Sequence, residues 1–123
     1  MTRILCSLFR VALLIVVLVI GYLATTPQTL PVVADISDKL LHGLAFFVLL
    51  LLADFSWPGT GLNPFKLLAV FAYGLLIEAV QHFLPYRDFS LIDMLANTLG
   101  MGFYAFTVPL LQRLPLLGLR WSR

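Results

Sequence analysis

The chain of 123 residues is 61% hydrophobic and only 11% charged, with a mean hydropathy of +1.00. So few polar groups could not cover a water-soluble globule of this size, so the composition excludes a soluble domain and points to one integral membrane domain over the whole chain. The net charge of +2 comes without a basic stripe interleaved with aromatics, which excludes nucleic acid as a partner, and the single cysteine, Cys6, excludes an internal disulfide.

The first predicted element covers residues 4–24. It holds an unbroken apolar run, Val11 to Ala24, preceded by Arg10. A signal peptide is the competing reading, but the stretch is long and Tyr22-Leu23-Ala24 is a poor cleavage site, so a retained transmembrane helix is expected. Arg10 can then extend its guanidinium to the headgroups. Pro27 and Pro31 mark a loop, and Ser37 or Asp38 is expected to cap the next helix.

The second element, residues 38–55, opens on Asp38, Lys39 and His42 and continues as an apolar run that Asp54, Trp57, Pro58 and Gly59 end. The third, residues 64–84, starts at Pro64, which suits a first helical turn, and closes on Glu78, Gln81 and His82. The fourth, residues 90–111, opens with Asp93 and Asn97. Gly100 and Gly102 follow as candidates for close helix contact, and Pro109 as an end or a kink. Residues 112–123 are basic and apolar by turns, as an interfacial tail would be. The expected fold is therefore all-α, a bundle of four transmembrane helices.

Four spans put both termini on one side. Arg3, Arg10, Lys66, Arg113, Arg120 and Arg123 share that side, and Lys39 and Arg87 lie on the other, so the positive-inside rule makes both termini cytoplasmic. The polar ends of the other three spans then meet near the outer face. Asp38 and His42 are four residues apart, as are Glu78 and His82, and Asp93 and Asn97; Gln81 follows Glu78 by three. Each pair shares one helix face, so each helix presents a patch that must face its neighbours or a wet cavity. The expected ligand-binding set is Asp38, Lys39, His42, Glu78, Gln81, Arg87, Asp93 and Asn97.

The roles within that set follow from side-chain chemistry. Arg87 suits an anion clamp and Lys39 an assisting cation. Glu78, Gln81, Asp93 and Asn97 suit hydroxyls or amines. A metal would need His42 and His82 joined by carboxylates such as Glu78, Asp93 or Asp38. Without a dense His or Cys spacing, a hydrogen-bonded histidine is the default, and no metal or cofactor is expected.

At these residues the sequence resembles the VanZ-like family of small bacterial membrane proteins. The resemblance rests on Asp38-Lys39-x-x-His42 opening one helix and Glu78-x-x-Gln81 closing the next. Arg87 in the following loop and Asp93-x-x-x-Asn97-x-x-Gly100 opening the last helix complete the pattern. His82 and Asp88 stand outside it. The resemblance implies a multi-pass protein of the bacterial cytoplasmic (inner) membrane, acting at its outer face near cell-wall precursors, in a family named for a glycopeptide-resistance protein.

The functional expectation is a protein that binds or shields the headgroup of a lipid or a cell-wall precursor, with the bilayer as its standing partner. Two other classes stay open. One is an intramembrane enzyme on a lipid-linked substrate, with Glu78 or His42 as general base and Arg87 or Lys39 stabilising charge. The other is an assembly subunit whose polar residues only clamp helices together.

Overall fold

The computed structural model describes residues 2–25, 35–85 and 91–113, and the side chains of these other than 35–38. It is all-α among the described residues, with α1 (Arg3–Thr25), α2 (Asp35–Ser56), α3 (Pro64–His82) and α4 (Leu91–Gln112). Each is long and apolar enough to cross a membrane. At 1.5 Å per residue, 19 to 23 residues reach about 28–35 Å, the thickness of a hydrocarbon core.

The helices alternate in direction, and α2 lies at the centre, in contact with all three others. The inward faces follow helical spacing. On α2 the buried stripe is Phe46, Leu49, Leu50 and Ala53; on α3 it runs Val70, Gly74, Ile77, Glu78, Gln81; on α4 it runs Asp93, Met94, Asn97, Gly100, Met101, Tyr104. The apolar core is built from Phe46, Leu49, Leu50, Ala53, Phe55, Val70, Met101 and Tyr104. No residue of α1 is fully buried; it lays Phe9, Leu13, Val16, Val17 and Ile20 against that core as one stripe. Its other side exposes Ile4, Leu8, Val11, Leu14, Ile15 and Leu18. A helix apolar on both sides is matched to a hydrocarbon solvent rather than to water.

Two side chains tie α1 to α3. The Tyr73 hydroxyl donates to the Val17 carbonyl, and Gln81 Nε2 donates to the Ala24 carbonyl at 2.9 Å. The α2–α4 pair is held more closely, backbone to backbone. A Cβ built on Gly100 would lie 2.0 Å from the Gly43 carbonyl oxygen, whereas one on Gly102 would meet nothing within 4 Å. Gly100 is therefore a point of close approach and Gly102 is not, which corrects the pairing of the two expected from sequence.

The helix ends differ from expectation in local ways. α2 begins at Asp35, three residues before the expected start, so Ser37 and Asp38 lie inside the helix rather than capping it. At α3 the Asn63 side chain accepts from the Lys66 amide at 2.9 Å and Pro64 occupies the first turn, so this start follows capping chemistry. That helix closes at His82, two residues early, with Pro85 beyond it. α4 continues through Pro109 to Gln112. Beyond Arg113 the expected interfacial tail lies outside the described residues.

Candidate functional site

The starts of α2 and α4 and the end of α3 share one end of the bundle. There Lys39 Nζ forms an ion pair with Asp93 Oδ1. His42 stands between two oxygens, with Nε2 at 3.6 Å from Asp93 Oδ2 and Nδ1 at 3.2 Å from Asn97 Oδ1. Both pairs join α2 to α4.

Glu78 enters from α3. Its helix lies tightly on the other two at Gly74, where a Cβ would meet the Phe46 ring at 3.0 Å and Asn97 Nδ2 at 3.3 Å. α3 runs against α2 and α4. One turn onward from Gly74 is Glu78, while one turn back from Phe46 is His42 and one turn back from Asn97 is Asp93. Glu78, His42 and Asp93 thus occupy one level. Glu78 has no exposed surface there, and Asn97 is 2% exposed. The side chains of Lys39 and His42 keep 32% and 22% of theirs. The cluster is therefore graded, with a partly open rim of Lys39 and His42 and a closed floor of Glu78 and Asn97.

Gln81 is drawn partly aside. Its amide nitrogen is spent on Ala24 of α1, while its buried Oε1 receives no hydrogen bond among the described residues. His82 is exposed and its ring meets Phe83 edge-on. Arg87 and the Asp38 side chain lie outside the described residues. Of the eight residues proposed from sequence, Lys39, His42, Asp93 and Asn97 meet by contact, and Glu78 joins them by register. Among the described residues no three His, Cys, Asp or Glu side chains are gathered as a metal site.

The opposite end holds a second polar group that the sequence reading missed. Asp54 is completely buried; its Oδ1 accepts from Lys66 Nζ at 3.0 Å and its Oδ2 from the Tyr104 hydroxyl at 2.7 Å. The same ammonium reaches the carbonyls of Asp54, Trp57 and Thr60 at 3.0–3.3 Å, and so caps the C-terminus of α2, where cations are favoured. Lys66 was expected only to mark a charged helix end; it is 6% exposed because it turns inward to this acceptor set. The signal was present as an acid ending one apolar run and a base opening the next, at one level of antiparallel helices. Nearby, Arg10 Nε donates to the Ser56 carbonyl at 3.0 Å and its guanidinium lies 5.4 Å from the Trp57 ring centroid.

Among known proteins, the chain is similar to an uncharacterized protein, C11E3.10, of the fission yeast Schizosaccharomyces pombe. The two are 42% identical over 94 residues, 72% of this chain and 56% of the yeast protein. The chain thus spans little more than half the length of the curated relative it matches. No family model matches the chain, and no solved structure does.

These findings correct two expectations. The resemblance to the VanZ-like family falls, because no family model carries it and the relative is eukaryotic. The placement in a bacterial inner membrane falls with it, since fission yeast has no such membrane. Cell-wall precursors and glycopeptide resistance rested on that resemblance alone and fall with it.

Proposed function

We propose that this chain is a multi-pass membrane protein that holds a phospholipid headgroup at the bundle end formed by α2, α3 and α4. The observation that carries the reading is the convergence of Lys39, His42, Glu78, Asp93 and Asn97 from three helices, graded from open rim to closed floor. An ionisable side chain within a membrane span costs several kcal/mol, roughly 2.5–3.5 on insertion scales. A single Asn or Gln would tie the helices at less cost, so two carboxylates at one level favour a ligand over a clamp.

The chemistry of the set narrows the headgroup. Among the described residues, two carboxylates, Asp93 and Glu78, share this end of the bundle with one ammonium, Lys39. Such an acid-rich site suits a group that brings its own hydroxyl or amine donors, with phosphate oxygens turned to Lys39 at the rim. Arg87, next along the chain after α3, belongs to the same proposal as a second cation for the phosphate. Arg3, Arg10 and Arg113 lie toward the other end, which the positive-inside rule makes cytosolic, so the site opens to the non-cytosolic face. A cysteine at Pro85, labelled with a membrane-impermeant reagent, checks this; labelling only from the cytosol would refute it.

The binding test compares phosphatidylethanolamine with phosphatidylcholine. Both are zwitterionic and share the phosphate, but choline has no N–H donor. Purified chain should retain the ethanolamine lipid preferentially, and Asp93→Asn should remove the preference. Equal retention of the two lipids by the wild-type chain would sink the reading.

One geometric feature favours a second reading. An imidazole whose Nδ1–H donates to Asn97 Oδ1 at 3.2 Å keeps its lone pair on Nε2, 3.6 Å from Asp93 Oδ2, and that is the tautomer a general base needs. On that reading the chain converts a lipid-linked substrate. Incubation with membrane lipid extracts should then yield a new product that His42→Ala abolishes, and no product with either form would remove the enzyme reading.

A further inference from the structure

At the end away from Lys39 and Asp93, a cleft of about 640 Å³ opens between α1, α2 and α3. Leu13, Val17, Leu49, Ala53 and Val70 form its apolar walls. Arg10, Trp57 and Lys66 line its polar mouth. The volume lies within the range of small-ligand sites.

The two cations at the mouth are not equivalent. The Lys66 ammonium is neutralised by Asp54 and surrounded by carbonyls. Arg10 is exposed, and among the described residues no carboxylate lies within ion-pair distance of it. Its Nε is committed to the Ser56 carbonyl and its plane is steadied by Trp57, which leaves the two terminal nitrogens as a pair of donors. Paired guanidinium donors match the oxygens of a phosphate. Trp57, itself 47% exposed, suits the headgroup layer in which that phosphate would sit.

We propose that this cleft holds one acyl chain of an anionic phospholipid from the surrounding bilayer, with its phosphate on Arg10. The inference rests on the membrane reading of the four helices but not on the headgroup site at Lys39. It is a second lipid position, on the opposite leaflet, selected by net charge rather than by headgroup donors.

The test uses Trp57 fluorescence in the full chain with Trp121→Phe, reconstituted with lipids brominated on the acyl chain. Phosphatidylglycerol and phosphatidylethanolamine both carry donors and differ in net charge. The anionic lipid should quench Trp57 at about fivefold lower mole fraction, as one interfacial arginine contact allows. Arg10→Gln should equalise the two lipids, Arg10→Lys should keep part of the preference, and Ala69→Phe, which fills the cleft from α3, should lower quenching by both. Because Arg10 touches Trp57, native mass spectrometry of retained phosphatidylglycerol gives a second readout that does not involve the indole. Equal quenching by both lipids in the wild-type chain, or a preference that survives Arg10→Gln in both measurements, would overturn the proposal. Displacement by millimolar inorganic phosphate would also overturn it, as it would reduce the site to a bare anion contact. Lys39→Gln should leave the preference intact; its loss there would move the anionic lipid to the other end and refute the assignment.

Discussion

Gly100 of α4 rests on the backbone of Gly43 of α2, so closely that an added Cβ would stand 2.0 Å from the Gly43 carbonyl oxygen and 2.9 Å from its Cα. Backbone atoms cannot swing aside as a side chain can, so the helices must separate to admit a methyl group. Gly100→Ala should therefore cost about 1–3 kcal/mol or more, the range of overpacked cores. Gly102→Ala, facing open space, should stay within about 0.5 kcal/mol. Unfolding of both variants in mild detergent checks this, and equal stability would contradict the α2–α4 contact.

The Asp54–Lys66–Tyr104 group makes a ranked prediction. Removing one partner of a buried ion pair strands the other, at about 3–5 kcal/mol, so Lys66→Met should be severe. Tyr104→Phe removes one hydrogen bond to a charged group and should cost about 1.5–3 kcal/mol. Asp54→Leu combined with Lys66→Met should recover much of the single-variant loss, because neither charge is then left buried. Thermal melts of the three variants read the order; a double variant worse than Lys66→Met would show that the pair is not the unit described here.

At the other end, Lys39→Gln separates binding from clamping. Its ion pair with Asp93 is about one-third exposed on the lysine side, so its loss should cost under about 1 kcal/mol of stability. A clamp would show the reverse pattern, with stability falling and lipid retention unchanged. Asp93→Asn and Glu78→Gln extend the comparison: if both are tolerated in lipid retention, the polar residues serve only to fasten helices.

Gln81 and Tyr73 fasten α1, a helix without a fully buried residue. Gln81→Leu should free its C-terminal end at a cost of about 0.6 kcal/mol, and at most about 1.7, the measured span for interhelical hydrogen bonds in membranes. Hydrogen exchange should rise in the last turns of α1 and not in α4. A uniform rise through all four helices would mean that this bond supports the whole bundle.

The number, order and direction of the helices were legible in the sequence, because length and apolar runs decide them in a chain this hydrophobic. Helix-face spacing also foretold that His42, Asp93 and Asn97 would share an end, whereas Lys39 was expected there only as an assisting cation. Three features were not legible. Gly100 and Gly102 look alike in sequence, and only the α2–α4 crossing tells them apart. Gln81 reads as one of a polar patch, yet its amide is claimed by a carbonyl of α1 that no spacing rule brings near. Asp54 and Lys66 were read one at a time, as helix punctuation, although charges beside apolar runs are cheapest when paired. Asp38 and Arg87, both in the expected site, lie outside the described side chains.

Headgroup selection is read most directly from the amounts of phosphatidylethanolamine and phosphatidylcholine retained by the purified chain and by its Lys39→Gln and Asp93→Asn variants, with Arg10→Gln as the control at the far end. The wild-type chain should prefer the donor-bearing headgroup by about tenfold, equivalent to about 1.4 kcal/mol. Lys39→Gln should lower retention of both lipids, because both carry the phosphate, whereas the preference should vanish in Asp93→Asn and persist in Arg10→Gln. No preference in the wild-type chain, or one that Asp93→Asn leaves untouched, would contradict the headgroup site.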